Sequence, residues 1–275
     1  MSEPVAVGQA VRVSKAVVNK AVIVAAGRGR RLGPETDEIP KCMVRVGGRP
    51  ILDRQVEALS AAGADDFVIV RGYRGDRIAA PAARPRFVEN PAWAENNILA
   101  SLMYASDELD AGFLFSYSDI VFAKEHAHRV SRAHGAVALV IDRRWRDAYE
   151  GRQLHPVSEA ELARVEDGPD GPRVTRVGKT LVSADEAAGE FIGLARFSPE
   201  GAAALDAVWR DAFAAGLELP FGNAKTLRNA YLSDALNAMA DRGVGLVPVF
   251  IDGRWREIDT EEDLARAHAL GDTWD

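Results

Sequence analysis

The chain has 275 residues, 47% of them hydrophobic and 27% charged, an ordinary balance for a globular protein. Its 41 acidic and 34 basic residues give a formal net charge of −7, which argues against nucleic acid as the main partner, because neutralising phosphates takes a basic face. The single cysteine, Cys42, excludes an internal disulfide, a zinc ribbon and a CxxC redox pair, and no stretch approaches the roughly 18 apolar residues of a membrane span.

Residues 1–19 carry scattered Val and Ala but no compact apolar stretch or small-residue cleavage site. They are expected to form an arm or an extra edge strand rather than a secretory signal, with the cytoplasm as the default location. Residues 20–26 are a continuous apolar run, as a strand buried on both faces requires. A glycine-punctuated loop follows over 27–34, then a short strand at 43–46, a Gly47-Gly48 turn, and a helix over 51–62 opened by Pro50 and closed by Gly63. Strands are expected at 67–70 and 86–89, a helix over 98–109, and strands at 113–115 and 137–141. Strand, loop, helix and strand in alternation read as a parallel sheet.

The rhythm breaks over the polar stretch 142–190, where short, partly antiparallel strands such as 174–177 are expected around the turn at 168–172. A strand at 191–197, helices near 202–214 and 226–242, and a strand at 246–251 complete the pattern. A last helix over 260–270 is capped by Thr260 with Asp263 at its third position. The chain divides into the arm, 1–19, and one domain, 20–275, with an inserted lobe.

The loop after the first strand is the most informative stretch. A Rossmann fingerprint needs Gly at position 32, where Leu32 stands, and a Walker A loop needs Gly-Lys-Ser/Thr directly after the glycines. A third reading is a nucleoside triphosphate loop, with glycines that let backbone N–H groups approach phosphate. Arg31 then offers a planar multidentate donor and Lys41 a compact point charge. Only six of the 34 basic residues are lysines, Lys15, Lys20, Lys41, Lys124, Lys179 and Lys225, so each carries more information than one of the 28 arginines.

Asp119 closes a strand, well placed for a ligand above the carboxyl edge of a parallel sheet, and Asp259 lies just before the last helix. Two carboxylates from distant segments can share one Mg²⁺, which keeps phosphate oxygens and waters as its other ligands. Asp259 is also compatible with a helix-terminus role and Asp119 with a turn.

The pattern Gly27-x-Gly29-x-Arg31-Leu32-x-Pro34-x-Thr36-x-x-x-Pro40-Lys41 resembles the opening motif of nucleotidyltransferases that act on phosphorylated sugars and cholines, with Arg30 where Ser or Thr is usual. The resemblance implies that Ala25, Ala26, Gly27, Gly29, Arg30 and Arg31 wrap the nucleotide phosphates, that Lys41 and Arg31 stabilise their charge in catalysis, and that Asp119 and Asp259 hold Mg²⁺. It also implies a Rossmann-like α/β fold of the GT-A kind: a mixed, mostly parallel sheet with helices on both faces and a smaller antiparallel acceptor-side lobe.

Further segments narrow it. Asn90-Pro91-x-Trp93-x-x-Asn96-Asn97-Ile98-Leu99-x-Ser101, residues 116–122, Val177-Gly178-Lys179, Asp142-Arg143-x-Trp145-x-x-x-Tyr149-x-Gly151-Arg152 and Glu190-Phe191-Ile192-Gly193-Leu194-Ala195 resemble phosphocholine and phosphonate cytidylyltransferases. The likeness is greatest to the domain often fused to phosphoenolpyruvate mutase, and it runs from residue 20 to the end. It implies Asn90, Asn96 and Ser101 on the nucleotide, although caps would use the same residues, and Lys179, Glu190, Tyr117 and Arg152 on the acceptor. Trp93, Trp145, Tyr149 and Tyr231 are candidates for an aromatic wall, which would serve a quaternary amine only if two or three converge.

The leading expectation is a Mg²⁺-dependent enzyme that joins CTP to a small phosphonate, such as 2-aminoethyl- or 2-hydroxyethylphosphonate, and releases pyrophosphate. A phosphocholine cytidylyltransferase, a sugar-1-phosphate nucleotidyltransferase and a nucleotide-binding regulatory subunit are the alternatives. Small molecules are the expected partners, with neither nucleic acid nor membrane, and a homodimer is left open. Cys42 is read as a small core residue, because an acceptor anion needs no protein nucleophile. His126, His128 and His134 lack the spacing of a zinc site.

Overall fold

The computed structural model describes residues 18–80 and 82–269. The expected arm lies outside these residues except for Val18 and Asn19. The first apolar run is β1 (Lys20–Ala25), with residues from Ala21 onward buried. It lies between two parallel neighbours, β4 (Asp66–Arg71) and β6 (Phe113–Tyr117), and β5 (Arg86–Glu89) extends the sheet beyond β4. Being covered on both faces explains why β1, β4 and β6 are largely apolar runs, whereas β5 is mostly exposed.

Beyond β6 the direction reverses. β11 (Gly189–Phe197) pairs antiparallel with β6 and with β8 (Val137–Asp142), and β12 (Leu246–Ile251) runs parallel to β8. β9 (Glu161–Gly168) and β10 (Gly171–Lys179) form a hairpin on the first residues of β11, completing a nine-stranded sheet. This is the mixed sheet with an antiparallel lobe that the sequence predicts, although β10 is far longer than the expected 174–177.

α2 (Ile98–Met103), α5 (Pro199–Ala215) and α6 (Leu232–Asp241) supply Leu99, Leu102, Leu205 and Leu236 to the core on one face. α1 (Ile51–Ala61) and α3 (Lys124–Ser131) supply Leu52, Val56, Ala127 and Val130 to the other. Each such leucine or valine, fully buried, contributes about 1.5–3 kcal/mol.

Two predicted helices are shorter than expected. α2 stops at Met103, and Glu108, in the 3-10 turn Ser106–Glu108, is drawn to Lys20 and Arg86 at the sheet edge. The helix expected over 226–242 begins only at Leu232, because Tyr231 has extended backbone and shares a reciprocal cap with Asp234. The expected 43–46 strand reduces to β2 (Arg45–Val46), which pairs with β3 (Arg49–Pro50) across Gly47 and Gly48. Both glycines have positive φ, as a two-residue primed turn requires.

Two three-residue strands decide the geometry of the site. β7 (Ile120–Phe122) follows β6 after a tight turn and pairs antiparallel with β13 (Trp255–Glu257), just before α7 (Glu261–Ala269). The register sets Ile120 opposite Glu257, and Ile258 N–H donates to the Asp119 carbonyl at 2.8 Å. Asp119 and Asp259 are thereby brought side by side at the carboxyl edge of β1 and β6.

Candidate active site

A cleft of about 380 Å³ opens at this edge, where the loop after β1 meets the β6–β7 turn and the starts of β9 and β11. Its position follows from the switch in strand direction beyond β6, which leaves a crevice over the strand ends.

Lys41 lies at the floor, 8% exposed. Its Nζ donates to Asp119 Oδ2 at 2.7 Å and to Asp259 Oδ1 at 2.6 Å. Burial alone would lower the ammonium pKa, but Asp119, Asp259 and Glu257 outweigh it and hold it above the ordinary lysine value. Burial would likewise raise the Asp259 carboxyl, yet Lys41, His155 and Arg31 hold it well below the carboxylate range. The Arg31 guanidinium sits against the other Asp259 oxygen and is itself half exposed.

The loop is built to seat that lysine. Gly29 has a φ of 73°, and a Cβ there would lie 2.9 Å from Lys41 Cγ and Cδ. Thr36 Oγ donates to the Gly29 and Gly33 carbonyls at 3.1 and 3.3 Å, and Leu32 is fully buried. These two motif residues therefore shape the loop from beneath. From α1, Gln55 donates to the Tyr117 and Ile120 carbonyls, both at 2.7 Å, and clamps the turn that carries Asp119.

The far end of the cleft is lined by acids. Lys179 Nζ contacts Glu159 at 2.9 Å and lies 4.8 Å from the centre of the Tyr231 ring. The β10–β9 register sets it opposite Glu161. Burial pushes Glu161 up to about 7, although Lys179 opposes the shift, and burial pushes Glu190 up to about 8 against the Tyr149 hydroxyl, which donates to it at 2.6 Å. Tyr117 O–H donates to Glu161 at 3.1 Å. Glu161 and Glu190 each keep one buried oxygen without a hydrogen-bond partner.

The cleft is lined by six acids (Asp119, Glu159, Glu161, Glu190, Glu257, Asp259) and four cations (Arg30, Arg31, Lys41, Lys179).

Of the residues singled out in sequence, Gly27, Gly29, Arg30, Arg31, Lys41, Tyr117, Asp119, Lys179, Glu190 and Asp259 line this one cleft. Ala25 and Ala26 are buried behind the loop. Asn90, Asn96 and Ser101 lie off the cleft and bond to one another, with Asn90 Nδ2 at 2.9 Å from both Asn96 Oδ1 and Ser101 Oγ; Asn97 takes the lining position. Arg152 stands behind the site, with Nε 2.6 Å from Asp263, and that aspartate forms the reciprocal cap with Thr260 that the sequence predicts.

Of the four wall aromatics only Tyr231 reaches the cleft, while Trp93 packs on Tyr73 and Trp145 on Tyr149 at the two ends of the short helix α4 (Trp145–Tyr149). Burial pushes the Cys42 thiol up to about 12, which makes it a poor nucleophile.

Sequence reasoning missed His155, Glu257, Glu159, Glu161 and Gln55. Glu257 lies two residues before Asp259 in a three-residue strand, a signal present in the sequence but too short to read. His155 stands in an irregular segment and carries no local signal. It is nevertheless 1% exposed, with Nδ1 3.3 Å from Asp259 and Nε2 3.3 Å from Glu257.

Residues 21–188 match the MobA-like NTP transferase domain, and the chain belongs to that family. It is 29% identical over 253 residues, 89% of this chain and 97% of the relative, to the CTP:phosphoglutamine cytidylyltransferase of Campylobacter jejuni. It is 30% identical over 207 residues, 74% of this chain and 76% of the relative, to the 2-aminoethylphosphonate cytidylyltransferase of Lancefieldella rimae. Among solved structures, the CTP:phosphocholine cytidylyltransferase of Streptococcus pneumoniae shares the fold, with a TM-score of 0.70 at 20% identity over 91% of this chain and 98% of that one. The protein is a nucleotidyltransferase, as its glycine loop leads one to expect, and enzymes of this family generally use a divalent metal.

Proposed function

We propose that the protein transfers a cytidylyl group from CTP to a small acceptor bearing a phosphonate or phosphate group, with 2-aminoethylphosphonate as the leading acceptor. An acceptor oxygen forms a bond to the α-phosphorus of CTP, the α–β anhydride bond breaks, and pyrophosphate departs with the electron pair. The acceptor oxygen is already anionic, so no proton need be removed. Catalysis then rests on positioning and charge neutralisation.

The observation that carries this reading is Lys41, held 2.7 and 2.6 Å from Asp119 and Asp259 beneath a glycine loop. The donor set suits Mg²⁺, which takes oxygen ligands, and Asp119 Oδ1 is buried with no hydrogen-bond partner. Asp119 and Asp259 would hold the ion, which supplies polarisation of the α-phosphate and neutralises the leaving group. Lys41 then turns to the α-phosphate, and Arg31, exposed enough to swing, pairs with the outer phosphates. Lys179 meets the acceptor phosphorus group.

The acceptor's tail is argued from Glu161 and Glu190. Each has an unpartnered buried oxygen on a residue that lines the cleft, and an ammonium group is a partner that either oxygen would accept. An aromatic cage for choline is disfavoured, because Lys179 already covers the Tyr231 ring.

The test is pyrophosphate release with Mg²⁺, pairing CTP, UTP, ATP and GTP with 2-aminoethylphosphonate, 2-hydroxyethylphosphonate, phosphoglutamine, phosphocholine and glucose-1-phosphate. Release is expected with CTP and 2-aminoethylphosphonate. Silence with CTP and both phosphonates removes the phosphonate assignment, and silence with CTP throughout removes the cytidylyl assignment.

A further inference from the structure

Asp142, the last residue of β8, is buried, and its carboxyl group makes no ion pair among the described residues. The arginines beside it pair elsewhere, Arg143 with Asp252 and Arg144 with Asp147. Its oxygens instead accept three N–H groups. Oδ1 takes those of Arg144 at 2.9 Å and Gly253 at 2.8 Å, and Oδ2 takes the Trp255 indole at 2.7 Å. A buried carboxyl group costs stability unless such partners are supplied, and an apolar side chain would fill the same space more simply.

Gly253 and Trp255 belong to the turn that leads from β12 into β13. Gly253 and Arg254 both have positive φ, 76° and 59°, a conformation unfavourable for an arginine. Such a turn persists where its surroundings over-determine it. Asp142 grips it from β8, while from the other side His126 Nε2 lies 2.9 Å from the Gly253 carbonyl and Ala123 N–H donates to the Arg254 carbonyl at 3.1 Å.

The turn aims β13. Trp255 opens that strand and lines the cleft, and Asp259, two residues past its end, meets Lys41 at 2.6 Å. β13 is three residues long and forms a two-stranded sheet with β7, so its own ladder fixes it only weakly.

We propose that Asp142 is a positioning residue for the transfer reaction. It sets the entry of β13 through Gly253 and the Trp255 indole, and thereby the approach of Asp259 to Lys41 and Asp119. The role rests on the reading of this cleft as the transfer site.

The test compares Asp142→Asn, Trp255→Phe and the double variant in the full chain. In Asp142→Asn an amide N–H₂ replaces one oxygen and faces the indole N–H, donor against donor. Turnover is expected to fall by about 10- to 100-fold, the scale of a small misplacement passed to a reacting group, with kcat and kcat/KM falling together. Trp255→Phe removes the opposing donor, so the double variant is expected to turn over at least about threefold faster than Asp142→Asn.

A second cycle needs no substrate. Lys41→Met is expected to lower the urea midpoint less in the Asp142→Asn background than in the wild type, because a displaced Asp259 pairs less closely with the ammonium. Should Asp142→Asn fail to fold by circular dichroism, Trp255→Phe takes its place in the turnover and urea measurements. Wild-type kcat in the folded variant, however far its melting temperature drops, no recovery in the double variant, or additive losses with Lys41→Met overturns the role. The urea cycle holds or fails separately from the cytidylyl reading.

Discussion

Lys41 and Asp259 are 218 residues apart in sequence and 2.6 Å apart in space. The same ammonium reaches Asp119 at 2.7 Å, so one lysine bridges two carboxylates that would otherwise repel each other. Without a nucleotide, Lys41 stands where a metal is expected to bind, and a triphosphate that draws it away frees the carboxylates.

Replacing Lys41 with Met is therefore expected to act in two directions. Turnover falls by at least about 100-fold, the scale of losing one preorganised charge. The variant also melts at a lower temperature, because breaking a buried pair leaves uncompensated charge. Mg²⁺ alone then raises its melting temperature more than that of the wild type, since the bare carboxylates accept the ion. Thermal melts of both proteins with and without Mg²⁺ check this; equal shifts count against Lys41 as the competing cation.

Gly29 seats that lysine, and its role separates from that of Gly27. Gly29→Ala introduces a Cβ 2.9 Å from the Lys41 side chain at a φ of 73°. The expected cost is about 1–3 kcal/mol of stability, with a fall in turnover. Gly27→Ala meets nothing within 4 Å, and its stability is expected to stay within about 0.5 kcal/mol of wild type. Urea denaturation of the two variants decides; equal losses remove the packing argument.

The glycine-loop end of the cleft is largely legible in the chain, and the far end much less so. A glycine loop after a buried apolar run and a lysine behind Pro40 are local patterns that follow from phosphate chemistry, and both segments line the cleft. Asp119 and Asp259 could be named, but their meeting depends on β7 and β13, each too short to show periodicity. Asn90, Asn96 and Ser101 bond to one another and do not line the cleft, and in sequence such a cluster of amides and a hydroxyl looks the same as a ligand-reading edge. Glu161 and His155 sit in the polar stretch 142–190, where position comes from strand register and wrapping rather than from neighbours in the chain.

Lys179 offers a test of the acceptor end. In Lys179→Ala the acceptor loses a charged partner worth about 1.5–3 kcal/mol, so its KM should rise about 10- to 100-fold. The KM for CTP should hardly change. Steady-state kinetics with each substrate varied in turn make the comparison, and parallel increases would place Lys179 on the nucleotide instead.

Glu190 predicts a pH dependence of stability. Its carboxyl is pushed up to about 8 from an ordinary 4.5 by burial. Between those values the folded protein holds a proton that the unfolded chain releases, so stability falls as pH rises through this window, by up to about 1.4 kcal/mol per pH unit for the group. Glu161, pushed up to about 7, adds to the slope over the lower part. Asp259 and Asp263, held below their ordinary 3.8, lose their contribution only in more acid solution and leave this window alone. Glu190→Gln stays neutral and can keep the hydrogen bond from Tyr149, so its stability should decline less between about pH 5 and pH 8. Urea melts across that range measure both slopes. A variant as steep as the wild type would mean that Glu190 is already ionised in the fold, and that the acceptor meets a carboxylate there rather than a carboxylic acid.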